Sequence, residues 1–295
     1  MIDILNVFSL TYVYKMIKII NILLMATFLI SCGKYDNNDE FKVKTGTIIN
    51  GVKTSNKESP WQVAMIARRR HFLCGGSLIS KRLVLTAAHC VINLSKSDFS
   101  IYGGSQTGQI SDLVEFSSVK NITIHHLYDF DKKLNDLALI ELTGPVTESE
   151  YVKAIKLPTE KSLALIDQME VTGWGKTGTF HPTSKQLLKL GVRLATKDNT
   201  GHIEDSSIWS RDFYNEDGHI SVIGSGDNIG NVCHGDSGGP MYFYDGLNPV
   251  IVGVASFVIG GKLPDLCYGM SVYTDVRAHL QWINYQIRSA DYSAL

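Results

Sequence analysis

Hydrophobic residues between positions 62 and 144 occur in short runs, separated by turns rich in Gly, Asn, Asp and Ser. The runs lack the three-to-four-residue spacing of an amphipathic helix. Their positions are 63–66, 77–79, 83–86, 114–116, 122–124 and 137–140. Short strands of this kind at regular intervals predict an all-β barrel or sandwich.

The second half of the chain repeats this pattern after an interruption. The stretch 142–161 contains a glycine and two prolines, and we interpret it as the crossing between two halves. The polar stretch 197–230 is expected to be mostly loop. Apolar residues at three-to-four-residue steps predict an amphipathic C-terminal helix over 276–287. Further strands are predicted at 169–175, 250–257 and 271–275.

The first 32 residues have the pattern of an export signal. Two lysines precede an apolar run at 19–30, which is too short to span a bilayer and suits the core of a signal peptide. The run ends in Leu-Ile-Ser-Cys, which resembles the lipobox of bacterial lipoproteins. In that family the cysteine, here Cys32, is lipidated and becomes the N-terminus. An ordinary secretory signal with an incidental cysteine is the alternative, and either Met1 or Met16 fits as the start.

Residues 33–47 are polar and charged and are expected to form a flexible tether or propeptide. No aspartate follows Cys32, so the resemblance leaves an outer-membrane or cell-surface destination open; without lipid the protein would be secreted or periplasmic. The chain is therefore expected to contain a signal peptide and lipobox at 1–32, the tether, an N-terminal barrel at 48–158, and a C-terminal barrel with its helix at 159–290.

The composition is that of an ordinary globular protein, with 44% hydrophobic residues, 19% charged residues and a formal net charge of −1. This balance gives no reason to expect nucleic acid as a partner, and we expect no cofactor. The cysteines number five, and an odd count in an exported protein leaves one for a separate task. Lipidation of Cys32 would be such a task.

Candidate chemistry centres on residues 233–240, which read Cys-His-Gly-Asp-Ser-Gly-Gly-Pro. A serine hydroxyl attacks poorly unless a base takes its proton and donors receive the oxyanion that forms. The glycines around Ser237 permit backbone angles that expose a side chain on a tight turn. Gly-x-Ser-x-Gly also fits the nucleophile elbow of α/β-hydrolases, in which Asp and His follow the serine. Only 58 residues follow Ser237, too few for that fold, so the catalytic partners are sought upstream.

Three motifs resemble those of trypsin-like (chymotrypsin-fold) serine proteases, and along the chain they follow the order of that family: base, aspartate, nucleophile. Gly-Asp-Ser-Gly-Gly-Pro at 235–240 resembles the nucleophile loop of the family, Thr-Ala-Ala-His-Cys at 86–90 its base motif, and Asn-Asp-Leu-Ala-Leu at 135–139 its aspartate motif. The resemblance covers about 48–288. It implies two six-stranded antiparallel β-barrels with a C-terminal α-helix.

The same resemblance implies the role of each catalytic residue. Ser237 would be the nucleophile, His89 the base, and Asp136 the carboxylate that orients the imidazole. Backbone N–H groups of Gly235 and Ser237 would form the oxyanion hole, where losing one donor typically costs about 2.7–4 kcal/mol.

Other acidic and histidine residues are less suited to these roles. Asp129 and Asp131 are weaker candidates for the carboxylate because they fall in a polar loop. The adjacent pair His125 and His126 would point opposite ways on a strand, so it is unsuited to hold one ion. We interpret the pair as surface residues and expect no metal site.

The segment Ile-Ile-Asn-Gly at 48–51 resembles the activated N-terminus of the family. There, proteolysis frees the isoleucine amine, which inserts beside the aspartate that precedes the nucleophile. The resemblance therefore implies that the protein is made as a zymogen and that Ile48 pairs with Asp236. Breaking a buried ion pair by removing one partner typically costs about 3–5 kcal/mol, so such a pair can act as a switch.

The resemblance also implies two disulfides, Cys74 with Cys90 and Cys233 with Cys267. They would require an oxidising compartment, which agrees with export. A metal site formed by four cysteines is the alternative, but no Cys-x-x-Cys pair is present.

Specificity follows from positions that match the walls of the substrate pocket in the family. Asn231 matches the position where trypsin-type members carry the aspartate that binds Arg or Lys. Val258 and Ser271 match two wall glycines, and their bulk resembles elastases, which accept small aliphatic residues. The strand Ser256, Phe257 and Val258 resembles the one that pairs with substrate.

These observations predict an exported, lipid-tethered serine endopeptidase with elastase-like preference that acts on proteins or peptides as a monomer. One alternative is a protease-fold binding protein without turnover, which an intact His89, Asp136 and Ser237 argue against. Another is a protease of broader or chymotrypsin-like specificity.

Overall fold

The computed structural model describes residues 48–67, 72–159, 168–178, 180–195, 218–225, 230–259, 267 and 269–292. The expected signal peptide, Cys32 and the tether lie outside these residues. Within the described part, no helix is both long and apolar enough to span a membrane.

An antiparallel sheet of seven strands is formed by the N-terminal part of the chain. The strands are β2 Gln62–Ala67, β3 Phe72–Leu78, β4 Leu83–Thr86, β5 Phe99–Gly103, β6 Val114–Glu115, β7 Val119–Ile124 and β8 Ala138–Leu142. Their order in the sheet is β6-β5-β2-β3-β4-β8-β7, and the sheet curls into a half-barrel.

A second antiparallel sheet contains the C-terminal strands together with β1 Val52–Lys53. The C-terminal strands are β9 Met169–Gly173, β10 Leu188–Leu194, β11 His219–Gly224, β12 Pro240–Asp245, β13 Asn248–Ile259 and β14 Met270–Asp275. The order in the sheet is β1-β10-β11-β14-β13-β12-β9, and pairing of β9 with β10 closes these six strands into a barrel. With the C-terminal helix α1, Leu280–Tyr292, this arrangement confirms the all-β fold predicted from the sequence.

The two sheets share a hydrophobic core at their junction. Strands such as β5 alternate buried and half-buried residues, as expected when one face is covered. Trp61 packs edge-on against Tyr242 of β12, with ring centroids 4.9 Å apart. Val276 and Ile283, at the C-terminal end, join the core of the first sheet. This packing fixes the edge between the sheets, where the candidate catalytic residues meet.

Two local expectations need correction. The helix begins at Leu280 rather than at 276, because Arg277–His279 form a 3₁₀ turn in which Asp275 accepts the backbone N–H of Arg277 at 2.8 Å. The stretch 197–230 contains the fully buried strand β11, so its end is not loop. The polar residues around this strand hid its short apolar pattern.

Candidate active site

His89 and Asp136 are brought together by the pairing of two buried strands. His89 lies in a 3₁₀ turn, Ala88–Cys90, just after β4, and Asp136 lies just before β8. Because β4 pairs with β8, the two residues meet at the same sheet end. His89 Nδ1 is 2.7 Å from Asp136 Oδ2, and the His89 backbone N–H donates to Asp136 Oδ1 at 2.9 Å.

Asp136 is fully buried and receives further hydrogen bonds from the second sheet. The hydroxyl of Ser256 donates to Asp136 Oδ2 at 2.5 Å, and that of Thr274 donates to the Asp136 carbonyl at 3.3 Å. Ser256 was predicted only as part of the substrate strand. Its contact with Asp136 crosses from one sheet to the other, a relation that short sequence motifs do not carry.

The residue before Asp136 is fixed by a histidine from the C-terminal turn. Asn135 has a φ of 52°, a left-handed conformation that asparagine tolerates better than most residues. Its Oδ1 lies 2.9 Å from His279 Nε2, and its Nδ2 donates to the Leu127 carbonyl at 2.9 Å. His279 Nδ1 lies 2.8 Å from the Asp275 carbonyl oxygen. A neutral imidazole carries one N–H, so His279 can donate either to this oxygen or to Asn135 Oδ1, but not to both. Burial lowers the pKa of His279.

His125 is buried and His126 is exposed, so our interpretation of the pair 125–126 as surface residues is wrong for His125. Its ring stacks on that of His126 at 4.8 Å and packs against His279 and Trp282. Burial, followed by the nearby His279 and His126, lowers the pKa of His125 to about 4. The burial of His125 is not predictable from the neighbouring residues, because the helix that covers it is more than 150 residues away in the chain.

Ser237 sits on a turn whose glycines are required by geometry. Gly235 and Gly238 have backbone φ values of 99° and 76°, in a region that residues other than glycine rarely adopt. A Cβ on Gly238 would also collide with the Gly75 carbonyl and the Thr86 side chain. The Gly75 N–H donates to the Ser237 carbonyl at 2.8 Å, which ties the turn to the first sheet.

Ser237 and His89 line one cavity of about 310 Å³ between the two sheets. Within the described part of the chain, the backbone N–H groups of Gly235 and Ser237 donate no hydrogen bond. The other described lining residues are Lys133, Val232, Cys233, His234, Ala255, Ser256, Phe257 and Val258.

The carboxylate of Asp236 is buried beside the turn. It accepts backbone N–H groups from Gly175 at 2.8 Å and from Cys233 at 3.0 Å. Burial raises the pKa of Asp236 to about 7, while these two hydrogen bonds oppose the rise. A Cβ on Gly173 or Gly175 would overlap the carboxylate, so both positions require glycine for space.

The known proteins to which this chain is similar decide its family. The family model "Trypsin" matches residues 48–283. The chain is 31% identical over 251 residues to the human "Chymotrypsin-like elastase family member 1", an alignment that covers 82% of this chain and 93% of the relative. The chain belongs to the trypsin family.

Two insect proteins are also similar to this trypsin-family chain. "Phenoloxidase-activating factor 3" of Holotrichia diomphalia is 30% identical, with 85% of this chain and 74% of the relative covered. "Chymotrypsin-2" of Vespa crabro is 28% identical, with 80% and 98% covered. The protein is a trypsin-family serine endopeptidase, and its substrates are therefore proteins or peptides.

In this trypsin-family structure, two disulfides brace the site. Cys74–Cys90 links β3 to the turn that holds His89, and Cys233–Cys267 anchors the start of the Ser237 turn. Ligand atoms of Cys74, His89 and Cys90 lie close enough to surround an ion, but the two sulfurs are bonded to each other and are not thiolate ligands. The disulfides fit an oxidising compartment outside the cytoplasm.

Only part of the predicted specificity pocket of this trypsin-family protein faces the cavity. Val258 lines it and pairs with Ser271 across β13 and β14. Asn231 and Ser271 are buried and are absent from the described lining. The Ser271 hydroxyl donates to Asn231 Oδ1, and Asn231 Nδ2 has no hydrogen-bond partner among the described residues.

Ile48 is also buried. It joins the hydrophobic core of the second sheet, among residues of β9 and β10. The next residue, Ile49, donates its N–H to the Asn231 carbonyl at 3.1 Å. Ile48 has a φ of 48°, a strained value for a β-branched residue.

Proposed function

We propose that the enzyme cleaves peptide bonds through an acyl-enzyme on Ser237. The 2.7 Å contact between His89 and Asp136, in a cavity that Ser237 also lines, carries this proposal. The Ser237 hydroxyl would attack the scissile carbonyl while His89 Nε2 takes its proton. The protonated His89 would then donate that proton to the leaving amine, and water would release the acyl group by the same route.

Asp136 would act by holding His89. Its contact with Nδ1 would leave the opposite nitrogen, Nε2, for proton transfer with the nucleophile, and its negative charge would favour the imidazolium that forms. Gly235 and Ser237 would supply the oxyanion hole, because their backbone N–H groups have no partner in the described structure. Donors without an internal partner can receive the developing oxyanion.

We further propose a preference for small aliphatic residues before the scissile bond. Val258 lines the cavity and would narrow it, and Asn231, which is hydrogen-bonded to the strand partner of Val258, is neutral. A substrate Arg or Lys would find no counter-ion there, and burying an unpaired charge is costly. Similarity to an elastase-family relative agrees with this preference.

The protein would be made as an inactive zymogen that cleavage before Ile48 activates. Cleavage would abolish the strained φ torsion of Ile48, because the preceding carbonyl would no longer be attached. The new amine would supply the positive charge that the buried Asp236 carboxylate needs. Since Thr47 is itself a small residue, the enzyme could cut this bond in other copies of the chain.

Export and tethering are proposed on the sequence of the N-terminal segment. Cys32 would carry lipid and attach the enzyme to a membrane, leaving 33–47 as the tether until activation. The two disulfides use the other four of the five cysteines, which supports this assignment. Cys32→Ser should move the protein from the membrane fraction to the soluble fraction, and an unchanged distribution would reject the anchor.

A peptide-library cleavage profile of the processed protein tests the substrate preference. Peptides that differ only in the residue before the scissile bond should rank Ala, Val and Thr above Phe and Arg, with each methylene changing discrimination by about 1–3 kcal/mol. A preference for Phe would instead indicate chymotrypsin-like specificity. A preference for Arg would reject the proposed pocket.

A further inference from the structure

One residue that lines the active-site cavity carries a positive charge that no described carboxylate neutralises. Lys133 is the only Lys, Arg, Asp or Glu among its described lining residues. No carboxylate in the described part of the chain pairs with the Lys133 ammonium. The ammonium lies 3.7 Å from the centroid of the Phe130 ring, whose π-face attracts a cation without cancelling its charge.

The backbone of Lys133 is held in place by the second sheet. His219 Nε2 lies 3.0 Å from the Lys133 carbonyl oxygen. The His219 ring also packs edge-on against Phe257, with ring centroids 5.7 Å apart. Phe257 and Lys133 both line the cavity, so the buried His219 contacts two lining residues at once. Lys133 has a φ of 57°, and the contact with His219 helps to hold this unusual conformation.

We infer that Lys133 selects substrates that carry an acidic residue on the acyl side of the scissile bond. The inference rests on the proposed function, because it places substrate in the cavity between His89 and the strand 256–258. Phe257 belongs to the strand that would pair with substrate and lines the cavity together with Lys133, so we place Lys133 beside the substrate residues that precede the pocket residue. A carboxylate there would meet an ammonium that has no other anionic partner among the described residues.

The Asp136 charge does not remove this effect. Asp136 is fully buried, and its oxygens are occupied by His89 and Ser256. Asp129, in the same loop as Lys133, accepts backbone N–H groups of Asp131 and Lys132, both at 3.0 Å. The inferred preference is therefore for a negative substrate side chain, and it should weaken as salt screens the half-buried pair.

The experiment uses the processed enzyme and pairs of peptides in which Glu replaces Gln at one position. Each pair places the change at one of the three positions that precede the pocket residue. For wild type we expect kcat/KM to be about three- to fivefold higher with Glu at one of them, the size of an exposed charge pair. The ratio should fall towards one in high salt.

Four variants separate the Lys133 charge from other effects. The Glu-to-Gln ratio should fall to about one in Lys133→Gln, persist in Lys133→Arg and invert in Lys133→Glu. Lys132→Gln is the matched control, because Lys132 is an exposed neighbour outside the described cavity lining, and it should keep the wild-type ratio. Using ratios removes losses of folding or turnover that affect both peptides equally.

The outcomes distinguish this inference from the proposed function. An enzyme that cleaves the Gln peptides but shows no charge preference at any position overturns the role of Lys133 alone. A preference that survives in Lys133→Gln does the same. Failure to cleave any peptide, together with no labelling of Ser237 by an active-site probe, overturns the proposed function and this inference with it.

Discussion

Ser256 donates its hydroxyl hydrogen to Oδ2 of Asp136 at 2.5 Å, the same oxygen that lies 2.7 Å from His89 Nδ1. The donor comes from β13 of the closed barrel, whereas Asp136 precedes β8 of the other sheet. The Asp136 carboxylate is thus held by contacts from both sheets, His89 on the first and Ser256 on the second. Correct docking of the two sheets becomes a condition for a correctly oriented imidazole.

Removal of the Ser256 hydroxyl should therefore impair catalysis without dismantling the site. In Ser256→Ala we expect kcat to fall about tenfold, since hydrogen bonds to charged groups are worth about 1.5–3 kcal/mol and His89 still holds Asp136. Ser289→Ala, which removes an exposed helix hydroxyl, is the control. An unchanged kcat in Ser256→Ala would contradict this role.

A side chain at position 175, next to the Asp236 carboxylate, should not be tolerated. In Gly175→Ala the new Cβ would overlap the Asp236 carboxylate, which cannot move away without losing its two backbone donors. We expect a destabilisation of about 1–3 kcal/mol, typical of overpacking, and loss of most activity even after cleavage before Ile48. Thermal unfolding and peptide turnover measure the two effects. Gly144→Ala is the matched control, because its Cβ would meet only ordinary contacts. Equal behaviour of the two variants would contradict the account.

His125 should make the folded state sensitive to acid. Its pKa is about 4 in the folded protein and near 6.5 when unfolded, so below about pH 6.5 the unfolded chain binds a proton that the folded chain does not. Stability from this residue is therefore lost as pH falls from about 6.5 to about 4. His126 and His279 face the ring and add to the effect if they become charged.

Chemical unfolding of Ser237→Ala protein, with and without His125→Asn, checks this prediction in the absence of autolysis. The difference in unfolding free energy between the two proteins should be constant above about pH 7 and should shift against the protein that retains His125 as the pH falls. Taking the difference cancels contributions from other groups such as Asp236. A difference that does not vary with pH would contradict the buried state of His125.

The sequence alone was sufficient to predict those features of the site and fold that depend on contiguous residues. The motifs around His89, Asp136 and Ser237 predicted one candidate site, in which His89 contacts Asp136 and shares a cavity with Ser237. Short apolar runs predicted an all-β fold. Contacts between distant segments were not predictable in this way. The burial of His125 depends on the C-terminal turn and helix, and the second role of Ser256 depends on how the two sheets dock. Strand β11 was missed because its apolar run lies within a long polar stretch.

Covalent labelling of the processed protein with a fluorophosphonate probe tests the central claim, that Ser237 is a nucleophile activated by His89. The probe reacts with a serine whose hydroxyl is activated by a base, and mass spectrometry of the digested protein identifies the labelled residue. We predict one label, on Ser237, which disappears in Ser237→Ala and forms far more slowly in His89→Ala. Labelling at another residue, or no labelling of folded protein whose N-terminus is Ile48, would contradict the account.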